Sequence, residues 1–445
     1  MVSAQSTVVT DVTVYLREES GPRWQPGQDV VVRDGVIAAI GPDAGRAHRD
    51  LPRADGSGGH LLPGFVNTHT HLQQAVLRGI GEGLPLLEWL RCVGERTVAA
   101  TPEQTYLSAL AGGLELLRGG VTTVVEHMWP STSEAVHDAM IRALDELGIR
   151  VILGRGLADR ADASRKWGLD PRLMQPLPEV FAHIEALDAR LRGSRIDTAL
   201  AVPNPRCLTP DGMAAAREFA VRHGKTVSIH VLETTTDDEM CRAHAGSGAV
   251  DYLDAAGFLW DRTLAVHCVH LDAHGRGVFA ERGVAVSYNP LSNMRLGSGV
   301  APVLEMLAAD IAVGLGVDGA ASNDTQDMLL ALRMGSYLQR VTRRRADLLN
   351  SDAMLAMATG GAARALGRPV TGPGLGVGDR ADFTLLRFDR DFACLPVLDP
   401  GATLLTAASP RVVDTVWVDG EAVIRDGRST RVDAEALVRS LISMR

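Results

Sequence analysis

The sequence predicts an α/β fold: a (β/α)8 TIM-type barrel with a small β-sandwich formed by the N- and C-terminal segments. Three observations carry this expectation. Eight short β-rich runs alternate with helical stretches through the middle of the chain. The helical stretches have readable starts and stops. The two ends of the chain share a different texture, strands interrupted by Asp-Gly.

The β-rich runs are Phe65 to Thr68, Val121 to Val125, Arg150 to Leu153, Thr198 to Val202, Thr226 to Ile229, Thr263 to Val266, Val284 to Ser287 and Ala312 to Gly316. Between them, Thr101-Pro102 and Thr209-Pro210 read as helix N-caps followed by proline at the first helical position. Gly148 and Gly224 read as helix stops, and Gly119-Gly120 as another. Barrels of this kind take about 250 residues before insertions, which the chain can supply. At the ends, Asp34-Gly35 divides Asp29 to Ile40, and Asp419-Gly420 divides Val413 to Ile424; both read as hairpins of one terminal domain. The expected division is 1–61 and 368–445 for the two parts of the sandwich and 62–367 for the barrel. The polar stretch from Ala158 to Pro178 follows the third run, on the side where barrel loops shape active sites.

The 445 residues are 46% hydrophobic and 22% charged, a globular balance, with a formal net charge of −9. An acidic balance argues against nucleic acid or an anionic membrane as partner, since both call for a basic footprint. The five cysteines are scattered without a CxxC, and no apolar run nears the roughly 18 residues of a membrane span. A cytoplasmic protein with a small-molecule partner is expected; a homodimer or higher homo-oligomer is left open.

The chemistry gathers at the ends of the runs. His69-Thr70-His71 closes the first, and residues i and i+2 of a strand share a face, so both imidazoles can hold one ion. His230 closes the fifth, with Glu233 three residues on. His267 closes the sixth and is preferred over His270, which reads as structural. Asp318 follows the eighth, where an unpaired carboxylate would be costly. In a barrel these tips converge on one mouth. Three histidines and an aspartate suit Zn²⁺, with Fe²⁺ or Mn²⁺ as alternatives. The metal activates a water; Asp318 takes its proton, Glu233 hands a proton to a ring nitrogen, and His267 orients the water or stabilises charge. Competing motifs are missing: there is no GxxxxGK[ST], no GxSxG and no HxE…PCxxC. Gly374 to Gly378 reads as a turn.

Several segments together resemble the amidohydrolase superfamily. They are Pro63 to His71, Ile229 to Thr234, Val266 to Leu271, Tyr288 to Gly299 and Gly316 to Asn323. Within it they look like the branch of S-adenosylhomocysteine/5′-methylthioadenosine deaminases, 8-oxoguanine deaminase and s-triazine chlorohydrolases. The resemblance implies one divalent metal on His69, His71, His230 and Asp318, with Glu233 and His267 as catalytic partners. The two-metal type with a carboxylated lysine is not implied, because the fourth run ends in Val202-Pro203-Asn204.

The expected function is a metal-dependent aminohydrolase of a small aromatic nitrogen heterocycle such as a purine or pterin. The alternative is dechlorination or dealkylamination of an s-triazine-like ring; a non-catalytic barrel ranks below both, because every expected ligand is present. Gln74 matches a base-reading glutamine of 8-oxoguanine deaminase, and Arg155 a substrate-contacting arginine of the adenosine-type enzymes. Near Val98 the ribose-binding glutamate of the latter is missing, and Asn204 replaces their histidine. Gln74, Arg155, Asn204 and, from a helix, Trp89 are the expected substrate contacts.

Overall fold

The computed structural model describes residues 5–367 and 373–444 and shows two sheets. The expected start of the C-terminal part, at residue 368, lies outside the described residues. Five strands precede the barrel: β1 (Thr7–Leu16), β2 (Arg23–Arg33), β3 (Val36–Gly41), β4 (Arg53–Asp55) and β5 (His60–Pro63). The barrel strands are β6 (Phe65–Thr70), β7 (Val121–His127), β8 (Arg150–Gly156), β9 (Ile196–Val202), β10 (Val227–Val231), β11 (Thr263–His267), β12 (Ala285–Tyr288) and β13 (Val313–Leu315). After it come β14 (Phe383–Leu386), β15 (Val413–Val418), β16 (Glu421–Arg425) and β17 (Arg428–Ser429).

The terminal sheet runs β17-β16-β15-β14-β5-β1-β2-β3, with β4 beside β1. The two ends of the chain therefore meet where β5 pairs with β14. Both Asp-Gly turns are present: Asp34 and Gly35 have φ of 49° and 75°, Asp419 and Gly420 of 51° and 75°. Two successive positive φ values give the turn whose twist matches a right-handed hairpin. Bulges in β1 on either side of Val12 bend the sheet, and Val12, Val30, Leu61, Phe383 and Trp417 share the core it encloses.

The eight barrel strands are parallel neighbours in chain order. The ring closes where the amide of Asp318 donates to the His69 carbonyl at 2.9 Å. Side chains alternate across each strand. Val125, Ile152, Ala199, Leu264 and Ala285 fill the barrel interior. Val124, Val151, Leu153 and Leu200 point outward into the helix layer.

The helices that matter for the site are α1 (Leu86–Val98), α2 (Pro102–Arg118), α3 (Glu134–Leu147), α4 (Leu177–Leu191), α5 (Pro210–His223) and α6 (Thr236–Ala245). Thr101 and Gln104 form a reciprocal capping box on α2, and Thr209 caps α5 through the Gly212 amide. Gly148 and Gly224 end α3 and α5 with φ of 71° and 64°, the left-handed conformation that favours glycine.

A nearly buried ion network docks the terminal sheet onto the barrel. Arg150, at the start of β8, reaches Asp382 at 2.8 Å and Asp419 at 2.5 Å; Arg195 reaches Asp419 and Glu421, both at 3.0 Å. Because these arginines precede or begin their strands, the sheet covers the N-terminal end of the barrel. The opposite mouth, where strands end, stays open for chemistry. Among the described residues, no helix is long and apolar enough to cross a membrane.

Candidate active site

The tips of β6, β10, β11 and β13 bring six of the expected residues together. His69 Nε2 lies 3.3 Å and His71 Nε2 3.5 Å from Asp318 Oδ1. His71 Nε2 and His230 Nε2 face each other at 3.3 Å. His267 Nε2 stands 3.9 Å from Asp318 Oδ2 and 3.6 Å from Glu233 Oε2. Four non-glycine residues at these tips have left-handed backbones: Leu232 (φ 53°), His267 (φ 72°), Cys268 (φ 52°) and Asp318 (φ 62°). Strain of this kind persists only where surrounding bonds enforce it. At Asp318 they do, because Thr70 Oγ1 and Gln326 Nε2 both donate to its carbonyl, at 2.8 and 3.0 Å.

The donor set fits one divalent ion. Atoms about 2.0–2.2 Å from a common centre in tetrahedral array lie roughly 3.3–3.6 Å apart, as the His69–Asp318, His71–Asp318 and His71–His230 pairs do. His69 is fully buried, yet among the described residues neither ring nitrogen has a hydrogen-bond partner. His71 donates Nδ1–H to the His127 carbonyl at 2.6 Å, so its Nε2 lone pair turns into the cluster. Burial holds His69 down to about 4 and pulls His71 and His230 below the usual histidine range, which keeps the rings neutral as ligands must be. Burial would raise Asp318, but the contact with His69 and the fields of His267 and His71 outweigh it and keep the carboxyl ionised.

Glu233 has a different environment. Burial, against the opposing pull of His267, pushes its carboxyl up to about 7, so it can both take up and pass on a proton near neutral pH. His267 donates Nδ1–H to Asn293 Oδ1 at 2.9 Å, which fixes the ring and aims Nε2 at Glu233 and Asp318. A cavity of about 320 Å³ opens over these groups. Gln74, Trp89 and Asn204 line it together with His71, His230, Glu233, His267 and Asp318. Gln74 is fully buried, and neither its amide oxygen nor its nitrogen has a partner. Asn204 is half turned to the chain, accepting from the Arg206 amide at 3.0 Å.

The sequence profile of the amidohydrolase family matches residues 60–423. The chain belongs to the amidohydrolase family. It is 35% identical over 419 residues to the 8-oxoguanine deaminase of Pseudomonas aeruginosa, covering 92% of each chain. It is also 35% identical over 419 residues to a 5-methylthioadenosine/S-adenosylhomocysteine deaminase of Desulforudis audaxviator, again over 92% of each. Among solved structures it superposes on the zinc complex of atrazine chlorohydrolase TrzN from Arthrobacter aurescens TC1 with a TM-score of 0.91 and 27% identity. That match covers 98% of this chain and 99% of the other.

This amidohydrolase departs from the sequence expectation at Arg155. The third β-run extends to Gly156, so Arg155 lies within β8 and not beyond it. On β8, Ile152 faces the barrel interior and Leu153 the helices; Arg155 shares the parity of Leu153 and points outward. Its guanidinium is held by the carbonyls of Gly156 (2.5 Å) and Ser131 (3.0 Å) and by Gln175 Oε1 (2.5 Å), and it does not line the cavity. Arg155→Met is accordingly expected to destabilise the fold by about 2–4 kcal/mol, through buried acceptors left unpaired, while kcat/KM changes less than about twofold. Thermal unfolding and steady-state kinetics on one preparation check both halves.

Other residues of the site went unweighed in the sequence. Glu126 is fully buried; its Oε2 accepts from the Leu72 amide at 2.8 Å, pinning the turn that joins His71 to Gln74. His127 packs its ring 4.6 Å from that of His230 and bonds Ser228 through Nδ1 at 3.1 Å. Both end a buried strand, the same signal that singled out His230 and His267. Asn67 accepts from the Val317 amide at 3.0 Å, and Asn293 holds His267; each is a polar residue inside a segment otherwise read for its histidines. His270 bonds the Ser298 carbonyl at 3.0 Å and lies outside the cavity lining.

Proposed function

We propose that this amidohydrolase releases ammonia from a purine, pterin or related aromatic nitrogen heterocycle. The observation that carries the reading is Glu233: a buried carboxyl near neutrality, 3.6 Å from His267 and beside two overlapping groups of ligand-capable side chains, His69-His71-His230 and His69-His267-Asp318. The deaminase names of relatives at 35% identity support it.

His69, His71, His230 and Asp318 would hold the ion, with zinc favoured by the nitrogen-rich donor set. When bound, it supplies water acidified enough to attack at neutral pH. Asp318 would accept a proton from the attacking water and return it to the amino group, which leaves as ammonia. Glu233 delivers a proton to the ring nitrogen as the adjacent carbon becomes tetrahedral. His267, its Nδ1–H fixed by Asn293, presents Nε2 as an acceptor that would orient the attacking water. Gln74 offers one donor and one acceptor to the polar edge of the ring. Among the described residues none pairs with its amide, which lines the cavity, so Gln74→Ala is expected to lower kcat/KM about tenfold or more, read from initial rates on the true substrate.

The test is a screen of aminopurines, aminopyrimidines, pterins and amino- and chloro-s-triazines for ammonia and chloride release. Ammonia from a purine or pterin supports the reading. Chloride release without ammonia would replace it by the triazine alternative, which the likeness to the chlorohydrolase fold favours.

A further inference from the structure

Beyond the metal cluster the cavity continues between α1 and the loop that follows β8. Its outer wall carries Leu86, Leu87, Leu90, Trp129, Leu173 and Met240. Leu87 and Leu90, three residues apart, share a face of α1. Helix α1 is tied to the site by Trp89, whose Nε1–H donates to the Ala321 carbonyl at 3.1 Å, three residues past Asp318. At Gly94 the helix meets the other wall so closely that a Cβ would stand 3.6 Å from the Trp129 ring and 3.0 Å from Arg165 Nη1. One residue on, Glu95 bonds Arg165 at 3.0 Å and Arg172 at 2.8 Å, joining helix to loop. The result is an outer chamber with apolar walls, closed on one side by ion pairs.

The charged groups of this chamber are committed elsewhere. Asp170 accepts from the amide and Nε of Arg172 through Oδ1, and from Arg165 at 2.6 Å through Oδ2. Asp237 Oδ2 accepts from the Leu232 amide at 2.9 Å, and its Oδ1 faces Arg206 Nε at 3.4 Å. Each carboxylate is thus already engaged by a backbone amide and an arginine. Arg91 and Lys166 stand exposed at the rim, where water serves them. Leu87, by contrast, remains 42% exposed, a large apolar side chain at the mouth of a polar site.

We infer that the outer chamber receives an uncharged alkyl or aryl substituent on the substrate ring, in place of the hydrogen of a free base or the sugar of a nucleoside. This rests on the deaminase reading and adds to it the chemical class of the substituent. The polar edge of the ring lies against Gln74 and Glu233, and the substituent covers Leu87, Leu90 and Met240. Each methylene taken out of water there favours the transition state by about fourfold.

The experiment measures kcat/KM for ammonia release, by the zinc-loaded enzyme, from adenine and guanine and from their 9-methyl, 9-ethyl, 9-propyl, 9-benzyl and 9-ribosyl derivatives. The expected result, in whichever purine reacts, is a rise of about fourfold per methylene through propyl, with the riboside below the propyl compound. In Leu87→Ser, an exposed position that the fold tolerates, the propyl-to-parent ratio should fall by at least about threefold. A flat or falling series with a reactive parent base, a riboside preferred over propyl, or an unchanged ratio in Leu87→Ser would overturn the inference and leave the deaminase standing. Silence of every purine, parent bases included, would remove the purine reading and the inference with it.

Discussion

Substituting Glu233 by glutamine is expected to lower kcat at least about a hundredfold while zinc content and unfolding temperature stay near those of the unsubstituted enzyme. Glutamine keeps the length and planarity of the side chain and fills the same space. It cannot carry the transferable proton that a carboxyl held near 7 provides. Without that proton, negative charge accumulates on the ring as water adds, and the barrier rises; general acid–base help of this kind is typically worth about 10²–10⁴-fold. Metal binding should persist because Glu233 belongs to neither group of ligand-capable side chains at the strand tips. The rival role, capping the helix that follows, finds no support in the structure. Helix α6 starts at Thr236 with Thr235 as its N-cap, and acidic groups of its own, Asp237, Asp238 and Glu239, occupy the first turn. Pre-steady-state turnover with metal analysis decides the matter: a Glu233→Gln enzyme with full zinc and near-normal kcat would take Glu233 out of the mechanism.

The barrel was legible because its signals are local and periodic. Thr101-Pro102, Thr209-Pro210, Gly148 and Gly224 mark helix ends by chemistry that needs no tertiary context, and the structure has the ends there. The Asp-Gly turns are of the same kind. The metal cluster was legible for a related reason: once eight parallel strands close, every tip faces one mouth, so His69, His71, His230, His267 and Asp318 must meet. Arg155 shows where such reading fails. A strand end misplaced by a few residues leaves the run recognisable, but the assignment of one side chain to interior or exterior depends on the parity of a single position. Glu126 shows a second limit. Its function is to accept from the backbone of a different strand end, a contact between Leu72 and residue 126 that no sequence period encodes. The apolar wall of α1 is a third: its leucines read as ordinary helix residues until Trp89 anchors the helix over the site and turns Leu87 towards the cavity.

Removing the metal is expected to abolish turnover and also to loosen the fold. Donors from three strand tips crowd together, with His69 and His71 at 3.3 and 3.5 Å from Asp318 and His71 at 3.3 Å from His230, an arrangement that a cation among them would stabilise. An ion that binds only the folded chain stabilises it by RT ln(1 + [L]/Kd), about 4 kcal/mol at a thousandfold excess over Kd. For a chain of 445 residues this corresponds to about 4 °C in the unfolding temperature. Stripping with a chelator should therefore lower the transition by a few degrees and eliminate activity, and stoichiometric zinc should restore both. The stripped protein should also be acid-sensitive. His69 is held at about 4 when folded but titrates near 6.5 when unfolded, so between these values the unfolded chain binds the extra proton. Stability present above pH 6.5 is then lost progressively as the pH falls towards 4. Zinc should shift that loss to lower pH, because protons and metal compete for the same nitrogens. A stripped enzyme that kept its activity would break the proposed chemistry. One that lost activity, but whose unfolding temperature ignored zinc at every pH, would show that these four side chains are not the ligands.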